Sequence, residues 1–272
     1  MSDVRFGSLI LKRDGQRASI VIDRPAKKNA IDEATWRAFA DASAAIAADP
    51  EIAVVIVRGS GGAFSAGADI AEFVALTEAD DARRDAFADA VRDGEEAVAR
   101  IPQPTIALID GACVGGGCQI ALACDIRIAA STARFGVTPA KLGIVYPVAS
   151  TRRLVAAVGA SAAKELLFTG GLIDAERAAS IGLVDRVVEA ARLEADVDSL
   201  AAAIVANSRY SLAAAKATVD ALSQPEPDLA ALEALWRGGF SGEDLAEGAR
   251  AFLEKRPPRF TWARRPDPQP AS

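Results

Sequence analysis

The sequence predicts an α/β fold with a helical C-terminal region, and three observations carry that prediction. Short, continuously apolar runs of strand type alternate with amphipathic helical patterns through the first half of the chain. From Ala149 onward the pattern is almost wholly Ala-rich helix. Two junctions, residues 60–73 and 114–125, place a tight turn of small residues directly before a helix start.

Taken in order, SLILKRDGQRASIVIDR reads as two alternating strands around the turn pair Asp14-Gly15. DEATWRAFADASAAIAA follows as a helix with an acidic first turn, and IAVVIVRG is a buried strand. SGGAFSAGADIAEF turns from Phe64 to Ala68 into a short helix. The charged run TEADDARRD is a solvated face or the base of a mobile lid, leading into the amphipathic helix DARRDAFADAVRDGEEAVARI. TIALID and DIRIAAS are buried strands on either side of VGGGCQIALACD. Beyond Ala149, RRLVAAVG, AAKELLF, LAAAIVANS, LAAAKATVDAL and LAEGARAFLEKR read as successive helices. The Pro-rich end, RPDPQPAS, is expected to be disordered.

Composition excludes several kinds of chemistry. The 272 residues, half of them hydrophobic, can bury a core of one large domain, with or without a helical appendage. A net charge of −6 disfavours nucleic acid or an anionic membrane as partner. No apolar leader or membrane-length run stands out, so a cytoplasmic location is expected. Cys113, Cys118 and Cys124 match no zinc spacing and read as small buried core residues. With no histidine in the chain, Ser-His-Asp and Cys-His triads and His-ligated metals are excluded. Catalysis would fall to backbone, carboxylates, amides or a tyrosine.

The glycines bear on which. Gly115, Gly116 and Gly117 open a helix, although glycine costs roughly 0.5–1 kcal/mol relative to Ala within one. Such a cluster means that the backbone must approach something closely. Free N–H groups at a helix start stabilise negative charge, and two such starts meeting at one oxygen would form an oxyanion hole.

The segments RPAKKNAI, FSAGADIAEF, DGACVGGGCQIALACDIRIA, FGVTPAKLG and EGARAFLEKRPPRF, in this order, closely resemble the enoyl-CoA hydratase/isomerase (crotonase) superfamily. The resemblance runs from about residue 5 to 262. It implies a crotonase-type spiral of ββα units over residues 1–195, a C-terminal helical trimerisation region over 196–262 and a tail over 263–272. It also implies trimers or hexamers and acyl-CoA thioesters as substrates, with coenzyme A present only as part of the substrate and no separate cofactor. By the same resemblance, the N–H groups of Ala68 and Gly116 hold the thioester oxygen as an enolate. Backbone around Ala26, Lys28, Ala66, Asp69 and Ile70 would clasp adenine and pantetheine, with Arg24 near phosphate. Lys255 and Phe260 would reach the nucleotide, from this chain or a neighbouring subunit.

The departures from the family pattern decide the chemistry. Hydratases of the family carry one glutamate just after the GGGC element and another in an FG-x-P-E element; here those positions hold Gln119 and Pro139. Neither can shuttle a proton, a role that typically contributes ~10²–10⁴-fold. Asp69, Glu72 and Glu165 are substitute acids in principle. The run TPAKLGIVYP resembles the branch that includes methylmalonyl-CoA decarboxylase, in which Tyr146 would orient a departing carboxylate. That branch, however, has His in place of Ala68 and Asn in place of Pro147. Three readings follow: enolate chemistry without the glutamate pair, decarboxylation or isomerisation; an ordinary hydratase or isomerase using a displaced acid; and a non-catalytic acyl-CoA binder.

Overall fold

The computed structural model describes residues 3–262. A seven-stranded sheet forms its centre. β1 (Val4–Phe6), β2 (Leu9–Asp14) and β3 (Arg17–Ile22) are an antiparallel meander, and Asp14 pairs Arg17 across a tight turn in which Gly15 takes φ +59°. From β3 the sheet continues in parallel through β4 (Val54–Gly59), β5 (Thr105–Ile109), β7 (Ile126–Ala130) and β10 (Arg186–Val188). A smaller sheet joins β6 (Ala112–Val114), β8 (Arg134–Gly136) and β9 (Leu172–Asp174). Isolated bridges Ile31–Ala68 and Ser65–Cys113 extend this second layer back along the chain. Each turn of chain therefore lays a long strand in one layer, a short pairing in the other and then a helix, which is the ββα spiral.

The apolar runs bury both faces of the parallel strands, as period-two alternation requires. Val55, Val57, Ala107, Ile109 and Ala129 pack in one core with Trp36, Phe39 and Ile46 of α1 (Glu33–Ala48) and with Ala90 and Val98 of α3 (Asp81–Ala99). Val54, Ile56, Ile106, Leu108, Ile128 and Ala130 face the other way, onto Leu193, Val197, Ala201 and Ile204 of α7 (Leu193–Val205). The domain boundary expected at residue 195 falls inside α7, so the packed core runs on to Ile204.

Two short strands qualify the reading of the chain from Ala149 onward as almost wholly helical. β9 pairs β8 and β10 pairs β7, and at three residues each they are too brief to show a period. The remaining helices are α2 (Ile70–Thr77), α4 (Gly116–Ala123), α5 (Val148–Thr169, broken at Gly159, φ +75°), α6 (Ala175–Ser180), α8 (Arg209–Leu222), α9 (Leu229–Gly238) and α10 (Glu243–Glu254). Asp80, within the charged run TEADDARRD, caps α3 by accepting from Arg83 N–H. The tail expected to be disordered lies, from residue 263, outside the described residues. No helix among the described residues is long and apolar enough to cross a membrane.

Candidate active site

The two small-residue loops lie side by side because backbone hydrogen bonds stitch three segments together. Ala66 N–H donates to Lys28 O (2.9 Å), Ile31 N–H to Gly67 O (2.7 Å) and Asp69 N–H to Ile31 O (3.0 Å), so residues 24–31 clasp the first loop. Ser65 N–H donates to Ala112 O (2.8 Å) and Val114 N–H to Ser65 O (3.0 Å), which fastens the second loop to the first. Buried Asn29 holds the clasp, donating to Ser60 O and Ala63 O while accepting from Arg24 N–H. Its φ of +58° suits asparagine, which tolerates the left-handed region better than most residues.

Among the described residues, neither Ala68 N–H nor Gly116 N–H meets a protein acceptor. A Cβ added at Gly116 would stand 3.6 Å from Ala68 N and 3.0 Å from Trp36 Cζ2, so the two unpaired donors border one small space. Gly116 begins α4, and the positive end of that helix lies behind its N–H. The glycine cluster thus has three jobs rather than one. Gly115 takes a positive φ of 52°, Gly117 packs where a Cβ would come within 2.7 Å of Ser65 O, and Gly116 keeps the space beside Ala68 open.

That space opens into a cavity of about 540 Å³. Ile70, Phe73, Phe87, Val91, Leu142 and Val145 supply much of its wall, with Phe73 and Phe87 edge to face at 5.7 Å. Among the described residues, no Asp, Glu, Lys or Arg lines it. Gln119 and Pro139 both reach it, so the positions at which the family has glutamates border the cavity without a carboxylate. Tyr146 lines it too, but its hydroxyl donates to Gly115 O at 3.3 Å and its ring is buried in the core. Burial pushes the phenol pKa well up, so Tyr146 stays neutral and can serve as a hydrogen-bond donor.

The substitute acids are occupied elsewhere. Asp69 caps α2, accepting from Ala71 N–H, and pairs with Lys27 (2.7 Å) and Arg24 (2.9 Å); the Lys27 hydrogen bond leads in holding its pKa below the usual range. Glu72 accepts Glu33 N–H at 2.8 Å and so satisfies the first orphan donor of α1. Glu165 pairs with Arg177 at 3.0 Å on the surface. None of the three lines the cavity.

Of the other residues singled out in sequence, Ala66, Ala68, Ile70 and Gly116 line the cavity, and Ala26 and Lys28 lie exposed on the adjoining clasp. Arg24 does not present a free cation. Its guanidinium binds Ala30 O, Asp32 and Asp69, and the side chain is only 16% exposed, because the clasp needs an internal tie. Lys255 and Phe260 are not brought to the cavity. Lys255 ends α10 and Phe260 folds back onto Gly248 of the same helix.

Reading the sequence missed Glu95, Ser150 and Trp36. Glu95 stands on the apolar stripe of α3 with Phe87, Val91 and Val98, a legible signal that this one glutamate is buried. It accepts from Ser150, and Ser150 in turn accepts from Gln119.

A family model described as enoyl-CoA hydratase/isomerase matches residues 14–263. A probable enoyl-CoA hydratase of Mycobacterium bovis is 36% identical over 261 residues, covering 94% of this chain and 98% of its own. A crotonyl-CoA hydratase of Syntrophomonas wolfei is 36% identical over 258 residues, with 94% and 98% covered. Among solved structures, an enoyl-CoA hydratase/isomerase family protein from Hyphomonas neptunium superposes with a TM-score of 0.89 at 40% identity, covering 93% of this chain and 97% of the other. The resemblance of TPAKLGIVYP to the decarboxylase branch is not shown by the relatives named here.

Proposed function

The chain belongs to the enoyl-CoA hydratase/isomerase family of acyl-CoA-processing enzymes, and from that premise we propose that it stabilises a thioester enolate between Ala68 N–H and Gly116 N–H without a carboxylate in the pocket. One observation carries this reading: two unpaired peptide donors border a cavity whose lining contains no acidic or basic side chain. Decarboxylation fits that cavity best, because it needs no base. In a malonyl-type thioester the bond from the α-carbon to the carboxylate breaks, its electron pair moves into the enolate and CO₂ leaves. The thioester oxygen carries the charge at the two N–H groups. A proton from solvent then completes the acyl-CoA product. An apolar wall disfavours the charged carboxylate and favours its loss, and Tyr146 would orient it by turning its hydroxyl from Gly115 O to that carboxylate.

Hydration is the second reading, and the similarity to the M. bovis probable enoyl-CoA hydratase and the S. wolfei crotonyl-CoA hydratase favours it. It would require an acid from outside the cavity lining. Turnover of crotonyl-CoA, a 3-enoyl-CoA, methylmalonyl-CoA and malonyl-CoA by the full chain tests the choice. CO₂ release from a malonyl-type ester with negligible hydration supports the first reading, and fast hydration of crotonyl-CoA overturns it.

The clasp around Ala26 and Lys28, with Ala66, Asp69 and Ile70, is assigned to the pantetheine and adenine of CoA. No separate cofactor is required, and the setting is cytoplasmic. Lys255 and Phe260 would serve a neighbouring copy, and assembly as a trimer or a dimer of trimers would supply that neighbour. The apolar exposure of Trp236, Phe240, Phe252 and Leu253 on the C-terminal helices and the segment after α9 supports such assembly.

A further inference from the structure

One tryptophan of the cavity wall carries an indole N–H with no acceptor. Trp36 stands on α1, its side chain lines the cavity, and the residue is 1% exposed. Its Nε1 is shielded from water and meets no hydrogen-bond partner among the described residues. An indole nitrogen can only donate, and buried donors in folded chains are nearly always matched, so one left over calls for an explanation. The helix packed against α1 supplies no acceptor. Glu95, the buried carboxylate of α3, is taken up by Arg153 and by the Ser150 hydroxyl.

The ring meets the space beside the two free peptide donors edge-on. A Cβ at Gly116 would stand 3.0 Å from Trp36 Cζ2; apart from the adjoining backbone, the next nearest atoms are Gln119 Oε1 at 3.5 Å and Ala68 N at 3.6 Å, with every other ring atom of Trp36 farther off. A face-on ring would bring the two carbons bonded to Cζ2 almost as close as Cζ2 itself. In an indole, Cζ2 and Nε1 are bonded to the same carbon, so their hydrogens leave one edge of the ring side by side. Packing fixes that edge. α3 closes on the backbone of α1 at Gly94, where a Cβ would stand 2.4 Å from Trp36 O, and Phe39 packs against the ring with centroids 6.2 Å apart. A donor held rigidly and away from water is oriented before any ligand arrives, which is the condition for stabilising charge that develops during a reaction.

We propose that the Trp36 indole N–H is a third donor to the thioester oxygen, joining Ala68 N–H and Gly116 N–H as the enolate forms. The inference rests on the enolate reading above and adds a side-chain donor to it. In a malonyl-type ester the acceptor is the thioester oxygen and not the carboxylate. A donor held on the carboxylate would stabilise the charge that has to leave, whereas one on the thioester oxygen strengthens as the charge arrives there. The assignment also accounts for an indole at position 36, since a purely apolar side chain would fill the core without burying an unmatched donor.

The test reads the carbonyl itself, by isotope-edited infrared spectroscopy of carbonyl-labelled butyryl-CoA bound to the full chain. Hydrogen-bond donors lower its stretching frequency. Trp36→Phe keeps a buried aromatic ring and removes the N–H, so the downward shift should shrink without vanishing, because the two peptide donors remain. Butyryl-CoA should bind this variant about fivefold more weakly, while S-butyl-CoA, the thioether that lacks the oxygen, should stay within about twofold. A merely structural role for the indole would weaken both ligands alike and leave the stretch unmoved. An unmoved stretch in Trp36→Phe with butyryl-CoA bound overturns the proposal and leaves the enolate reading standing. No downward shift in the unsubstituted protein, or binding of neither ligand, overturns both. Should Trp36→Phe fail to fold, the unsubstituted chain decides through its water-shielded indole resonance, which belongs to Trp36, since Trp236 is 60% exposed and Trp262 half-buried. That resonance should move with butyryl-CoA and not with S-butyl-CoA, and equal movement with both overturns the proposal.

Discussion

Arg24 donates to the carboxylate of Asp69 across 2.9 Å, tying the clasp at residues 24–31 to the loop that carries Ala68. The pair is partly shielded, at 16% and 11% exposure, so breaking it should cost about 1–3 kcal/mol, less than a fully buried pair. Asparagine also caps helices well, so Asp69→Asn should lose the ion pairs but keep the cap of α2. Asp69→Ala should lose both and cost about 1 kcal/mol more in urea unfolding. Because Lys27 and Arg24 depress the Asp69 pKa, their contribution is present above its ordinary value of 3.8 and is lost as pH falls through the folded value.

The adjacent glycines Gly116 and Gly117 should separate function from stability. Proline is tolerated at the first position of a helix and removes the N–H, so Gly116→Pro should fold yet lose ~10²–10³ in turnover on the true substrate. Gly117→Ala would press a Cβ to 2.7 Å from Ser65 O. Overpacking of this kind costs about 1–3 kcal/mol, which should appear in the melting temperature before it appears in kcat.

Tyr146→Phe removes a hydroxyl that reaches only the Gly115 carbonyl, at 3.3 Å. Stability should fall by no more than about 1 kcal/mol. If the hydroxyl orients a departing carboxylate, CO₂ release from a malonyl-type ester should slow by ~10- to 100-fold, with the affinity for butyryl-CoA little changed. Unchanged CO₂ release would remove Tyr146 from the reaction.

Glu95 should give the acid limb of the stability profile an unusual sign. Burial, the leading cause, raises its pKa above the ordinary 4.5. Between those two values the folded chain holds a proton that the unfolded chain has released, so stability falls as pH rises through that window. Urea unfolding across the acid range should show Glu95→Gln lacking this downward contribution, whatever its constant offset from losing the Arg153 partner. Identical slopes in the two proteins would mean that the Glu95 pKa is not raised.

The C-terminal helices should govern assembly. Phe252 is 83% exposed and Leu253 81%, adjacent apolar side chains that packing against a second copy would remove from water. Sedimentation of Phe252→Glu with Leu253→Lys should show a smaller species than the unsubstituted chain. An unchanged mass would place the subunit contact elsewhere.

Much of the architecture was legible because it is written in local patterns. Continuous apolar runs marked β4, β5 and β7, since strands buried on both faces lack polar alternation. The Asp14-Gly15 pair marked the first hairpin. The three-residue strands β9 and β10 left no mark, because pairing along their edges is supplied by distant partners. In the same way, the family resemblance puts Arg24 near phosphate, whereas its neighbours in space, Asp32 and Asp69, make it an internal tie.

For the site, the sequence by itself determined which groups were missing: no histidine in the chain, and Gln119 and Pro139 where carboxylates would stand. Residue identity at a position is local information, and it limits chemistry directly. Tertiary structure alone decided where the remaining groups point. The meeting of Ala68 N–H and Gly116 N–H depends on hydrogen bonds among residues 24–31, 65–69 and 112–115, which are far apart in sequence. The polarity of the Gln119 amide depends on one hydrogen of Ser150, committed by a carboxylate on another helix. Hydrogen bonds of this kind act over about 3 Å, so only the folded chain brings donor and acceptor within range.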